Sequence, residues 1–117
     1  MSLRMLLIVG AMFLVCGCAG RQAAQSDGAA LAPPMSVKEY YEFCSALPTP
    51  GACISDPICL LYRKELAAAP ADLQSCLAMC RQTYNALYVD NLTNGCGTIL
   101  ERAVDLCDQF CRRRDGA

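Results

Sequence analysis

The segments CLAMC, residues 76–80, and CDQFC, residues 107–111, decide how this chain folds. Each sets two cysteines four positions apart, so on a helix both sulfurs face one side, one turn apart. Around the first, Leu73, Cys76, Leu77, Cys80, Tyr84, Leu87 and Tyr88 recur at three- and four-residue intervals, which predicts a helix from near Asp72 to Val89. Around the second, Leu100, Ala103, Val104, Cys107, Phe110 and Cys111 line one side of a further helix. Thr98 and Glu101 have capping-box spacing at its start, and Arg112, Arg113 and Arg114 close it against the negative end of the helix dipole. In an antiparallel hairpin, residues at equal height share a midpoint. Cys76 with Cys111 and Cys80 with Cys107 have the same midpoint, between Thr93 and Asn94, inside the turn-rich stretch DNLTNGCG at 90–97. The pattern therefore predicts a two-rung disulfide ladder, Cys76 to Cys111 and Cys80 to Cys107. A bond from Cys59 to Cys80, which would face each other about Pro70, stays open as a competitor, since eight cysteines admit roughly a hundred pairings.

Upstream, Ser36 and Glu39 form a second capping-box pattern, after which Val37, Tyr40, Tyr41, Cys44 and Leu47 fall on one helical face. PTPG at 48–51 breaks this first helix. Asp56 before Pro57 reads as an N-cap followed by proline at the first helical position, and ICLLYRKELAAA at 58–69 continues as a second helix. The expected fold class is all-α: a small four-helix domain over 36–117, stapled by disulfides, with a helical hairpin carrying the twin CxxxC pairs. Cys44, Cys53, Cys59 and Cys96 are left for the first two helices and the loops.

Composition narrows the chemistry. The chain has 117 residues, ten cysteines and no histidine. Without histidine, imidazole metal sites and histidine-based triads are excluded, and no catalytic residue and no cofactor is expected. The formal net charge of −1 gives no basic excess to gather phosphates, so no nucleic-acid partner is expected.

The amino terminus carries Arg4, then the apolar run MLLIVGAMFLV at 5–15, then small residues, which is the layout of an export signal. The run is too short to span a hydrocarbon layer, which needs about twenty apolar residues. Val15, Cys16, Gly17 and Cys18 resemble the lipobox of bacterial lipoproteins: aliphatic residue, variable residue, small residue, modified cysteine. The resemblance implies a signal peptide over 1–17, removal before Cys18, and attachment of diacylglycerol and an acyl chain, such as palmitate, to Cys18. It implies a membrane partner through the lipid anchor. With Ala19 following the cysteine, it implies a cell-envelope location on the outer membrane, facing the periplasm. A competing reading is a plain secretory signal cut after Ala19, giving a freely secreted disulfide-rich effector. Either route leaves Cys44, Cys53, Cys59, Cys76, Cys80, Cys96, Cys107 and Cys111, an even number. Residues 18–35, small and polar with a double proline, read as a tether.

Inward-facing CxxxC pairs also suit a thiolate site for Cu(I), which needs no histidine. An exported chain meets oxidising conditions, which favours structural disulfides and no bound metal. The twin CxxxC arrangement looks like that of small helical-hairpin proteins of the mitochondrial intermembrane space, with a longer gap and a different targeting signal, so the likeness is one of physics. The five tyrosines, at 40, 41, 62, 84 and 88, read as core and rim, the three terminal arginines as a solvated helix end, and Asn91–Thr93 as a glycosylation acceptor if the source is eukaryotic. The expected role is binding or structural support at the envelope, without catalytic activity.

Overall fold

The computed structural model describes residues 32–114, and the proposed signal peptide, the lipobox with Cys18, and most of the tether lie outside the described residues. Four helices follow in order: α1 Val37–Ser45, α2 Asp56–Ala67, α3 Leu73–Tyr88 and α4 Gly97–Arg114, with a 3-10 turn at Val89–Asn91 between the last two. The domain is all-α and disulfide-stapled.

The start of α1 follows from its capping box. The Glu39 N–H donates to Ser36 Oγ at 3.2 Å, and the Ser36 N–H donates to Glu39 Oε2 at 2.7 Å. The Ser36 N–H first, and then the Ser36 hydroxyl, which donates to the same Oε2 at 2.8 Å, hold the Glu39 carboxyl below its usual range. Helix α2 begins one residue earlier than the Asp56 cap predicts. Asp56 is already helical, Ser55 takes the cap position without a side-chain bond, and its carbonyl accepts from the N–H groups of Ile58 and Cys59 at 3.0 Å each. With Pro57 supplying no N–H in the first turn, one fewer donor needs a cap there. The helix stops at Ala67, and the next two alanines close it with short bonds back to Glu65 and Leu66.

Asp72 caps α3, its Oδ1 accepting the Ser75 N–H at 2.8 Å. The predicted Thr98 cap of α4 is not where the helix begins. Gly97 is its first residue, the Leu100 N–H donates to the Cys96 carbonyl at 2.9 Å, and Thr98 sits inside the first turn. Cys96 fixes that start because its N–H is held by Asn94 Oδ1 at 2.9 Å and its sulfur is bonded to Cys53.

The architecture is two stapled hairpins, α1–α2 and α3–α4, packed through a shared interior. Tyr40 and Tyr62 stand at the join, fully buried, with ring centroids 6.0 Å apart. The Tyr40 hydroxyl donates to the Ala103 carbonyl on α4 at 3.0 Å, and the Tyr62 hydroxyl to the Cys80 carbonyl on α3 at 3.3 Å. Of the eighteen buried apolar side chains among the described residues, eight are cysteines, so sulfur makes up much of what would elsewhere be aliphatic core. A core of this size rarely supplies more than about 3–5 kcal/mol alone, and each cross-link adds about 2–4 kcal/mol. Met35, at the end of the stretch read as tether, is buried in this same core, so the packed body reaches upstream of Ser36.

Candidate functional site

The cysteine constellation is the densest cluster of chemically distinctive side chains in the domain, and each helix supplies part of it. Cys76 and Cys80 project from one face of α3, Cys107 and Cys111 from the facing side of α4. The structure joins Cys76 to Cys111 and Cys80 to Cys107, with Cα separations of 5.8 and 5.7 Å. The two rungs touch, with Cys80 Sγ and Cys111 Sγ 3.6 Å apart. Cys59 is joined to Cys44 across the α1–α2 hairpin, not to Cys80, and Cys53 to Cys96, 43 positions apart, ties that hairpin to the start of α4. Seven of the eight cysteines are almost completely buried, and Cys53 is the most accessible at 7%.

This arrangement has a definite chemical character. A disulfide sulfur carries no thiolate charge, so in this oxidised state the eight sulfurs are poor ligands for a soft cation. Among the described residues no group of three or more histidine, cysteine, aspartate or glutamate side chains is placed to hold a metal ion. The two buried tyrosines are pushed above their ordinary pKa, chiefly by burial. Both hydroxyls are committed to main-chain carbonyls, so they serve the hairpin join. Asp108 is raised by partial burial, with Arg81 and Arg112 opposing the shift.

Several surface expectations change. Asn91 is buried, its Nδ2 donating to the Leu87 carbonyl at 2.8 Å and its Oδ1 accepting from Asn94 at 2.8 Å. The amide read as a glycosylation acceptor is thus committed to the turn. The terminal arginines do more than solvate a helix end: Arg113 Nε donates to the Pro33 carbonyl at 2.7 Å, and Arg114 donates to the carbonyls of Pro70 and Ala71 while lying over the Phe110 ring. They fasten the incoming chain and the α2–α3 connection to the end of α4. Sequence periodicity carries no signal for such clamps, because each joins a side chain to a distant main-chain oxygen. Of the tyrosines, Tyr41 and Tyr84 are half-buried and face Arg63 and Arg81, and Tyr88 is exposed.

Two of the surface cavities differ in electrical character. One, of about 400 Å³, lies between α1 and α2 and is lined by Val37, Lys38, Leu60, Arg63, Lys64 and Ala67. Another, of about 360 Å³, lies by the 3-10 turn and has Asp90 as its charged residue, beside Ile54 and Leu87. Among the described residues no helix is long and apolar enough to cross a membrane. No family model matches this chain, and neither a curated protein nor a solved structure matches it, so the site is read from its own residues.

Proposed function

We propose that the protein is a lipid-anchored component of a bacterial cell envelope, whose disulfide-stapled helical domain is displayed for binding or structural support and performs no catalysis. The observation that carries the reading is the closure of all eight domain cysteines as four buried disulfides, which calls for an oxidising compartment outside the cytosol. The export layout at 1–17 supplies a route to such a compartment, and the lipobox resemblance at Val15–Cys18 supplies the anchor. Two or more acyl chains hold stably where one holds marginally, because each buried methylene contributes about 0.8 kcal/mol. The absence of histidine from the chain and the commitment of both buried tyrosines support a non-catalytic role.

The test is metabolic labelling with palmitate in a bacterial host, paired with intact-mass measurement of the recovered chain. Label that is incorporated into the protein and lost in Cys18→Ser, with eight hydrogens missing from the domain, is the expected result. An unlabelled protein found wholly in the medium would select the secreted reading. Free thiols carrying copper would replace both with a metal-binding role.

A further inference from the structure

The cavity between α1 and α2 combines three features. Its charged lining is entirely cationic, from Lys38, Arg63 and Lys64. Its apolar lining is open to solvent, with Leu60 46% exposed beside Val37 and Ala67. It also begins where the chain enters the domain: Lys38 lies in the first turn of α1, three residues beyond the buried Met35. The chain contains only two lysines, and both line this groove. The pair between Lys38 and Glu42, 3.5 Å apart, is solvent-exposed, so it holds Lys38 weakly.

We propose that this groove is a second membrane contact, docking on the anionic phospholipid headgroups of the bilayer that holds Cys18. The proposal rests on the lipid-anchor reading for the proximity of that bilayer. Charge selects the occupant. Three cations around an exposed leucine match the interfacial layer, where phosphates lie beside the upper acyl chain, and each cation near an anionic surface contributes attraction that fades within a Debye length. Chain length supplies the approach. Thirteen residues separate Cys18 from Ala32, which caps the distance to the anchor at about 50 Å and gives a root-mean-square reach of about 20 Å for a coil. A surface tethered this closely meets the headgroups at high effective concentration, so a contact too weak to hold a free protein suffices. The 3-10 turn end, with Ile54, Val89 and Leu92 exposed, has no comparable cationic lining and stays free for other contacts.

The experiment couples the full mature chain, beginning at Cys18, through its single unpaired thiol to a maleimide lipid. The vesicles are either phosphatidylglycerol mixed with phosphatidylcholine or phosphatidylcholine alone. An amine-reactive reagent then reports the groove directly, since Lys38 and Lys64 are the only lysine targets. Labelling of both is expected to slow by about tenfold or more on the anionic vesicles, the effect of two to three cations held near the surface. The protection should vanish at about 1 M salt, where the Debye length falls to about 3 Å. It should also vanish in Arg63→Glu, an exposed change that leaves both lysines in place and whose folding is checked by the four disulfides in intact mass. Inorganic phosphate at millimolar concentration should not compete, which separates a headgroup surface from a free-anion site. Equal labelling on the two vesicle types, or protection unchanged in Arg63→Glu, overturns the proposal. Because the thiol linkage stands in for the lipid, this outcome is independent of palmitate labelling, whose failure would remove the anchor reading alone.

Discussion

The Tyr40 hydroxyl donates to the Ala103 carbonyl at 3.0 Å across 63 positions of sequence, in a place where neither group meets water. That bond joins the first hairpin to the last helix, and the ring of Tyr62 lies against Tyr40 on the same join. A buried hydroxyl with a partner is net stabilising by about 1 kcal/mol, and the aromatic body contributes more through burial and packing. Tyr40→Phe should therefore lower the unfolding free energy by about 1 kcal/mol, and Tyr40→Ala by about 3–5 kcal/mol through the cavity left behind. Urea titration followed by circular dichroism measures both, and a neutral Tyr40→Phe would mean that the carbonyl is satisfied without the hydroxyl.

The four disulfides are not equivalent. Cys44–Cys59, Cys76–Cys111 and Cys80–Cys107 each lie within one hairpin, whereas Cys53–Cys96 alone links the hairpins and closes the longest loop, 43 residues. Loop-closure entropy assigns it about 4 kcal/mol against about 3 kcal/mol for the 15-residue loop of Cys44–Cys59. Paired serine substitution at 53 and 96 should accordingly be the most destabilising of the four, with both hairpins retaining their internal staples. Cys53 is also the most exposed of the eight, so limited reduction followed by alkylation and peptide mapping should label Cys53 and Cys96 first.

Asn91 anchors the turn between α3 and α4 through its bonds to Leu87 and Asn94, and Asn94 in turn holds the N–H of Cys96. Asn91→Ala should cost about 1–3 kcal/mol, since it strands polar groups in a place that water reaches poorly. Asn94→Ala should cost less, its site being exposed. Thermal unfolding of the two variants checks the order.

Stability should fall at both ends of the pH scale. Glu39 and Asp72 have depressed carboxyl pKa values, owing first to backbone N–H bonds from Ser36 and Ser75 respectively. Their contribution is present above the ordinary carboxylate value of about 4 and is lost as pH falls through the lower folded values. Tyr40 and Tyr62 are raised by burial, so the folded state keeps those protons, and stability declines as pH climbs past the ordinary tyrosine value of about 10. Near pH 11, about one unit above that ordinary value, the native protein should show fewer ionised tyrosines by ultraviolet absorbance than the same chain in denaturant, with the deficit abolished in the Tyr40→Phe, Tyr62→Phe double variant.

How much of this was legible beforehand can be followed residue by residue. The apolar periods of α3 and α4 and the capping boxes are local, so they can be read from a few neighbouring positions, and Ser36–Glu39 behaves as its spacing implies. The Thr98–Glu101 spacing misleads because Cys96, drawn to Cys53 from far away, starts α4 earlier. The ladder has two cysteine pairs with one midpoint, which makes its register self-checking. Cys44 and Cys59 have a midpoint too, at Gly51 and Ala52, where Gly51 takes a φ of 59° that suits a glycine turn. A single pair offers no such cross-check.

Sequence alone determined the helices and the need for covalent staples, because periodicity, capping and cysteine count are properties of neighbouring residues or of bulk composition. Tertiary structure alone decided that Cys53 reaches Cys96, that Tyr40 and Tyr62 seal the two hairpins together, that Asn91 is enclosed, and that both lysines share one groove. Those relations depend on how helices cross in space. Residues far apart along the chain become neighbours only once the interior has closed, and spacing along the chain carries no record of it.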